Sequence, residues 1–312
     1  MRRGPFICAA AVMILMTGCS EQIGDSVPEN ITSVQSISED SVAPVRMPED
    51  ITELGGGRYS CTFDGIKHNL IVDLPEETEG APLVIMLPGS GNTAGGFRNA
   101  VHFEEQANPR GYAVVYITGA SDPNDSTATI GWNSGIGAEG NDDVGFLTAM
   151  AAYFQDRFSF DKERTFAVGF SNGAFMTHRL AMEAGGTFSA AVSVAGKMPE
   201  RIWEERKEHN DVGFFQITGE KDEAIPKYSD ASAKYAKDPA IEDVMDYWVQ
   251  SNGLTLSETL TVGKDSTLSR YTGESSVQVW SLTVCGGRHS WGDERITGID
   301  TNSLILDFLD TQ

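Results

Sequence analysis

The chain has 312 residues and a formal net charge of −22, with 45 acidic residues against 23 basic ones. A field this negative disfavours nucleic acid and polyanionic substrates as partners. The length suits a single globular domain once the N-terminal segments described next are set aside.

The first residues predict export from the cytoplasm. Arg2 and Arg3 precede a mostly apolar run over 6–16, which is too short to span a bilayer and is typical of a signal peptide, placed here at 1–18. Small residues lead directly into Cys19, a pattern that resembles a bacterial lipoprotein signal, in which Cys19 would carry lipid and hold the chain to a membrane. A plain secretory signal with an incidental cysteine is the alternative.

Residues 19–53 are rich in Ser, Pro, Asp and Glu and show no sustained hydrophobic period. This composition predicts a disordered acidic tether.

Residues 54–312 predict one α/β domain with no internal repeat. Buried strands alternate with amphipathic helices, which indicates a mostly parallel central sheet with helices on both faces. Strands are expected at 58–64, 67–73, 83–87, 113–118, 164–170, 190–195, 212–218, 267–272 and 277–284. Helices are expected at 96–107, 142–158, 172–184, 240–251 and 301–309, and the aspartates at 142 and 143 suit the N-terminus of the second of these.

A Gly-x-Ser-x-Gly motif surrounds Ser171. It follows the apolar run 165–168 and precedes a helical pattern over 174–182. A serine on a sharp turn between a strand and a helix is typical of the nucleophile elbow of the α/β-hydrolase fold. The motif therefore predicts that Ser171 is a nucleophile.

In that fold an acid and then a histidine follow the serine along the chain. Asp222 comes after the apolar strand 213–218, with Glu220 and Glu223 as competing carboxylates. His289 comes just after the strand 277–284, whereas His209 lies in a charged stretch typical of a solvated surface. Asp222 and His289 are therefore the expected acid and base.

The oxyanion of an acyl-transfer reaction needs two preorganised N–H donors. One is expected from the backbone of Asn172, directly after the nucleophile. The other is expected from the glycine-rich turn after the strand 83–87, at Ser90 or Gly91.

These motifs occur in the order and spacing of a known family. From about residue 57 to the C-terminus, the chain resembles the polyhydroxybutyrate depolymerase and feruloyl esterase family of secreted carbohydrate esterases. The resemblance is carried by Leu-Pro-Gly-Ser-Gly at 87–91, Gly-Trp-Asn at 131–133, Asn-Asp-Asp-Val-Gly-Phe at 141–146, the motifs at 169–173 and 219–222, and Gly-Gly-Arg-His-Ser-Trp at 286–291.

The resemblance implies hydrolysis of carboxylic esters by a triad of Ser171, Asp222 and His289. It also implies that Trp132, Asn133 and Trp291 lie where the family contacts ligand or closes the site, although the two tryptophans equally suit packing of the loops. Two positions depart from the family pattern: Pro88 replaces its usual histidine, and Arg288 replaces a glycine.

Two cysteines, Cys61 and Cys285, remain after Cys19 and the signal peptide, and in an oxidising compartment they allow a disulfide. Their expected strands are the first and the last, which argues against that bond. No cysteine or histidine cluster has metal-ligand spacing, so neither a metal nor another cofactor is expected. The segment 197–210 is expected to form either a lid or a surface helix.

Together these patterns predict a secreted or membrane-anchored serine esterase that acts through an acyl-enzyme. The expected substrates are feruloyl or acetyl esters of plant polysaccharide, or hydroxyalkanoate esters. Two alternatives remain: a serine peptidase with the same triad, and a catalytically inactive surface lipoprotein that binds glycans.

Overall fold

The computed structural model describes residues 46–121, 129–136, 140–209, 211–227 and 237–312. All of them belong to one unit, Pro44–Gln312. The signal peptide, Cys19 and most of the expected tether lie outside the described residues. Among the described helices, none combines the length and the apolar character that crossing a membrane requires.

A single mixed sheet organises the described chain. Its strands, in the order in which they lie side by side, run β1-β2-β3-β5-β4-β6-β7-β8-β11-β10-β9. The bounds are β1 Glu49–Gly55, β2 Arg58–Phe63, β3 Ile66–Asp73, β4 Leu83–Leu87, β5 Ala113–Ile117, β6 Thr165–Phe170, β7 Ala190–Val194, β8 Gly213–Gly219, β9 Thr255–Val262, β10 Ser266–Thr272 and β11 Val279–Val284. The six strands from β5 to β11 in this order are mutually parallel, and antiparallel strands extend the sheet on both sides.

Helices connect the strands. Their bounds are α1 Ala94–Val101, α2 Glu104–Ala107, α3 Asp143–Phe158, α4 Asn172–Glu183, α5 Glu200–Glu204, α6 Ile241–Ser251, α7 Glu294–Thr297 and α8 Thr301–Leu309, with a 3-10 turn at Asn108–Arg110. Asp142 caps α3, since its carboxylate accepts the N–H of Gly145 at 2.9 Å.

The core lies on both faces of the sheet because successive side chains of a buried strand point in opposite directions. In β4, Val84 and Met86 pack with α1 and α8, whereas Leu83 and Ile85 pack with α3 and α4. All of these β4 side chains are fully buried. The expected α/β architecture, with a mostly parallel central sheet and helices on both faces, is confirmed.

Parallel pairing brings the carboxyl ends of four strands to one edge. Leu87 at the end of β4 pairs with Gly169 near the end of β6, and Val284 at the end of β11 pairs with Gly219 at the end of β8. The loops that leave these strands carry the glycine-rich turn, the serine, the aspartate and the histidine.

Three sequence-based boundaries need correction. The expected tether reached residue 53, but β1 begins at Glu49 and pairs with β2. The expected helix 96–107 is two helices, because His102 adopts a left-handed conformation with φ of 48° and ends α1. Strand β9 was not expected, since it is a polar edge strand whose residues are almost all exposed.

The structure does not contain the disulfide that the sequence allowed between Cys61 and Cys285. Cys61 lies buried in β2 and Cys285 is exposed after β11, and both thiols are free. Six strands separate β2 from β11 in the sheet, which puts the two sulfurs far beyond disulfide reach.

The segment 197–210, expected to be a lid or a surface helix, begins with the buried residues Lys197 and Met198. It then forms the short helix α5, which buries Ile202.

Candidate active site

Ser171 occupies a sharp turn between β6 and α4. Its backbone has φ of 52° and ψ of −118°, a positive-φ conformation outside the left-handed helical region that is costly for a residue with a side chain. Glycine on both sides makes the turn possible. A Cβ atom on Gly169 would collide with the carbonyl of Gly173, and one on Gly173 would collide with the carbonyl of Leu87.

The hydroxyl of Ser171 contacts the imidazole of His289. The distance from Ser171 Oγ to His289 Nε2 is 2.9 Å, and His289 Nδ1 lies 2.8 Å from Asp222 Oδ2. A carboxylate only accepts hydrogen bonds, so Nδ1 carries the proton and Nε2 is left to accept from the serine. The three side chains therefore form one continuous path for proton transfer.

The carboxylate of Asp222 is held by the loop after β8. Its Oδ1 accepts the N–H groups of Ala224 at 2.9 Å and Ile225 at 2.8 Å, which leaves Oδ2 directed at His289. The side chain is almost fully buried. Burial and these bonds orient the acid before any substrate arrives.

The competing carboxylates have other positions. Glu220 Oε2 accepts the N–H of Gly286 at 2.8 Å, which ties the loop of the acid to the loop of the histidine. A second bond between the same loops runs from the N–H of Lys221 to the carbonyl of Gly287 at 2.7 Å. Glu223 is exposed. Neither glutamate replaces Asp222 at the imidazole.

Ser90 and Gly91, the two expected sources of the second oxyanion donor, differ in whether their backbone N–H is already hydrogen-bonded. The N–H of Gly91 donates to the carbonyl of Ile130 at 2.7 Å, so the prediction of Gly91 as a donor is wrong. The N–H of Ser90 has no acceptor within the described part of the chain. Gly89 brings this loop against the nucleophile, since a Cβ atom there would lie 3.2 Å from Ser171 Cβ.

Asn172 is the first residue of α4. The N–H groups of the first turn of a helix have no intrahelical acceptor, and they lie at the positive end of the helix dipole. Ser90, in the loop after β4, and Asn172, at the start of α4, thus present backbone donors beside Ser171.

The three expected substrate contacts are occupied by internal bonds. Trp132 is only 6 % exposed and its indole N–H donates to the carbonyl of Pro88 at 3.0 Å, which corrects the prediction that its ring contacts a ligand. Asn133 Nδ2 donates to the carbonyl of Asn141 at 2.9 Å. Both residues connect loops of the protein to each other.

Trp291 is partly buried near His289. Its ring meets Phe97 edge-on with centroids 5.4 Å apart, and its N–H donates to Asn302 Oδ1 at 2.8 Å. Phe170 contacts both aromatic rings, with centroids 5.1 Å from His289 and 6.5 Å from Trp291. Trp291 therefore braces the histidine loop, and its contact with a substrate stays a prediction.

One cluster in the described residues has spacing that suits a metal ion, His102 with Glu104 and Glu105. Both carboxylate oxygens of Glu104 already have partners, because one pairs with Arg98 at 3.1 Å and the other accepts a hydrogen bond from the Tyr116 hydroxyl at 2.7 Å. The cluster belongs to the junction of α1 and α2 rather than to the triad. That the chemistry needs no metal or cofactor stays a prediction.

Comparison with known proteins agrees with the fold. The model of the prolyl oligopeptidase family matches residues 101–251, a span just under half of the chain that includes Ser171 and Asp222. The solved structure of an acetyl xylan esterase from Aspergillus awamori superposes with a TM-score of 0.57 at 12 % identity and covers 78 % of this chain and 94 % of its own. This chain is an α/β-hydrolase by fold.

Two curated relatives of the α/β-hydrolase are more similar in sequence. NocK from Nocardia uniformis subsp. tsuyamanensis, whose name describes it as a candidate esterase, is 26 % identical over 242 residues, which cover 70 % of this chain and 67 % of NocK. An acetylxylan esterase from Coprinopsis cinerea is 29 % identical over 134 residues, which cover 41 % of this chain and only 34 % of that esterase.

Sequence reasoning missed one buried group of the α/β-hydrolase. Asp143 was expected only to cap α3, but it is 1 % exposed and its Oδ2 accepts the N–H of Asn133 at 2.6 Å. Burial raises the pKa of this carboxyl to about 6, while the bond from Asn133 and the charge of Arg179 lower it. The two consecutive aspartates before a helix were the available signal, because a helix needs only one of them as its N-cap.

Proposed function

We propose that this α/β-hydrolase is a serine hydrolase of carboxylic esters. The observation that carries the proposal is the unbroken path from Ser171 Oγ through His289 to Asp222, with bonds of 2.9 and 2.8 Å. The similarity to NocK and to acetylxylan esterases supports the same reaction class.

The reaction follows from the positions of these groups. His289 Nε2 takes the proton of the Ser171 hydroxyl as Oγ bonds to the ester carbonyl carbon, and the resulting oxyanion accepts from the N–H groups of Ser90 and Asn172. The carbon–oxygen bond to the alcohol then breaks, and His289 returns the proton to the departing alcohol. A water molecule then attacks the acyl carbon as His289 takes its proton. The bond from that carbon to Ser171 Oγ breaks, and His289 passes the proton to Oγ, which releases the acid and restores the serine.

The deciding test replaces the nucleophile. Ser171→Ala is expected to keep the fold, as judged by circular dichroism and melting temperature, and to abolish hydrolysis of p-nitrophenyl acetate. Arg288→Ala on the exposed rim serves as the control for a substitution near the site that leaves the triad in place. Wild-type turnover in Ser171→Ala would overturn the proposal.

A serine peptidase is the second candidate, and the match to the prolyl oligopeptidase family is the observation that favours it. The two activities are separated by comparing kcat/KM for an ester and for the amide with the same acyl group. A fluorophosphonate probe tests both against an inactive glycan-binding protein, since the probe labels Ser171 only when the serine is activated.

For the substrate, we propose acetyl or feruloyl esters of plant polysaccharide, with hydroxyalkanoate esters as the alternative. The similarity to two acetylxylan esterases supports the acetyl esters. Parallel assays on acetylated xylan, methyl ferulate and hydroxybutyrate oligomers rank the three; hydrolysis of none of them would remove this substrate assignment.

For location, we propose an exported protein anchored to a bacterial membrane through lipid on Cys19, with simple secretion as the alternative. The N-terminal pattern supports this. Expression with radiolabelled palmitate is expected to label the wild-type chain and not Cys19→Ser, and an unlabelled wild-type chain would exclude the anchor.

A further inference from the structure

A short segment that follows β5, residues 130–133, binds both the loop that carries Ser90 and the side chain of Asn172; we call it the clamp. Gly131 pairs with Ala120 through two backbone hydrogen bonds of 3.0 Å, which fix the clamp to the chain leaving β5. A Cβ atom at position 131 would lie 2.9 Å from Asn172 Oδ1. Glycine therefore lets the clamp lie directly against the nucleophile elbow.

The clamp holds the loop of the first donor on both sides. The carbonyl of Ile130 accepts the N–H of Gly91 at 2.7 Å, and the indole N–H of Trp132 donates to the carbonyl of Pro88 at 3.0 Å. Ser90 lies between these two points of attachment. The direction of its N–H is therefore set by the clamp.

The clamp also holds the residue of the second donor. The backbone N–H of Trp132 donates to Asn172 Oδ1 at 2.7 Å, and Asn172 Nδ2 donates back to the carbonyl of Trp132 at 3.2 Å. The side chain of Asn172 thus pairs with both backbone groups of one residue. A single residue, Trp132, therefore joins the loop of Ser90 to the first residue of α4.

The clamp is itself anchored to two helices. The N–H of Asn133 donates to Asp143 Oδ2 at the start of α3, and its carbonyl accepts from Arg179 Nη1 of α4 at 2.6 Å. Arg179 is in turn held by Glu183 at 2.9 Å. These bonds tie the clamp to two helices of the core.

We propose that Trp132 is a positioning residue that sets the separation of the Ser90 and Asn172 N–H groups around the oxyanion. This inference rests on the proposed ester hydrolysis. Oxyanion donors stabilise the transition state only when they lie about 2.7–3.1 Å from the developing charge, and a misplacement of about 1 Å can cost on the order of 100-fold in rate. The clamp controls that spacing without touching the reacting atoms.

The test is Trp132→Phe, which keeps an aromatic ring in the buried site, removes the bond to Pro88 and leaves a smaller side chain; the control below loses the same volume. We expect kcat for p-nitrophenyl acetate to fall by roughly 10- to 100-fold, with KM changed by less than about threefold. The inhibition constant of a trifluoromethyl ketone, which forms an oxyanion with Ser171, should rise by the same factor as kcat/KM falls. A purely structural role would not produce that proportionality.

The matched control is Trp280→Phe. Trp280 is 2 % exposed and its N–H donates to Oε1 of Gln278, the residue before β11, at 2.9 Å, so this variant loses an indole hydrogen bond and the same side-chain volume outside the clamp. It is expected to lower the melting temperature and to keep kcat. A wild-type kcat in Trp132→Phe, or an equal loss of kcat in Trp280→Phe, would overturn the proposal.

A second variant covers the case in which Trp132→Phe does not fold. Asn172→Ala removes the partner of the Trp132 backbone and keeps the N–H donor of residue 172, and kcat should again fall by at least about tenfold at similar KM. Full activity in this variant would contradict the clamp. An inactive wild-type enzyme, or an active Ser171→Ala, would instead refute the proposed function, so the two failures are distinguishable.

Discussion

Replacing Asp143 with asparagine is expected to change how stability depends on pH. The Asp143 carboxyl is buried at the start of α3, and its pKa rises from the ordinary 3.8 to about 6 chiefly because burial disfavours the charged form. At a pH between 3.8 and about 6, Asp143 keeps its proton in the folded protein, whereas the same residue in the unfolded chain has released it. Stability from this group is therefore complete below about pH 4 and is lost as the pH rises through 6.

The size of the effect follows from the shift of about two pKa units. Each unit corresponds to about 1.4 kcal/mol, so wild type should lose on the order of 3 kcal/mol through this one group between pH 4 and pH 8. Asp143→Asn keeps an oxygen that can accept from Asn133 and has no proton to lose. As the pH rises from 4 to 8, the unfolding free energy of the variant minus that of wild type should therefore increase by about 3 kcal/mol.

The assay is urea unfolding of both proteins at half-unit steps from pH 4 to pH 8. Trp280→Phe provides the control, since it alters a buried side chain and removes no titratable group, and its difference from wild type should stay constant over the series. A difference between Asp143→Asn and wild type that does not change with pH would refute the reasoning, whatever the absolute stability of the variant.

Two further predictions concern the triad and the cysteines. Asp222→Asn should lower kcat by on the order of 10⁴-fold at little cost in folding, because an amide can donate to His289 Nδ1 and so favour the wrong tautomer; steady-state kinetics at pH 8 would contradict this if the loss were below about tenfold. Iodoacetamide should modify the exposed Cys285 in the native protein and reach the buried Cys61 only after unfolding, because burial raises the pKa of the Cys61 thiol to about 11. Peptide mass spectrometry reads both sites, and rapid native labelling of Cys61 would be inconsistent with the fold.

The features that sequence reasoning placed well are those in which local pattern and topology coincide. Ser171, Asp222 and His289 each follow an apolar strand, and parallel strands deliver the residues that follow them to one edge of the sheet. The structure brings the three side chains within hydrogen-bonding distance there. The alternation of strands and helices was sufficient to predict the central sheet because every central strand is buried on both faces.

The features it missed depend on partners distant in the sequence. The sequence does not distinguish the N–H of Gly91 from that of Ser90, because the acceptor of the Gly91 N–H is the carbonyl of Ile130, which lies beyond β5. Trp132 suited either a sugar-binding surface or a packing role, and only the carbonyl of Pro88 distinguishes the two. Strands β1 and β9 were missed because an exposed edge strand needs no apolar period.

The main-chain bonds that join β8 to β11 have a consequence for how this enzyme can change. The loops of the acid and the base are kept in alignment by strand pairing that continues past Val284 and Gly219, through the N–H of Glu220 to the carbonyl of Val284 at 3.0 Å. Such bonds are available to almost any amino acid. Side chains on the loops around the triad can therefore be exchanged, by natural drift or by redesign for a new ester, while the aspartate and the histidine stay in register.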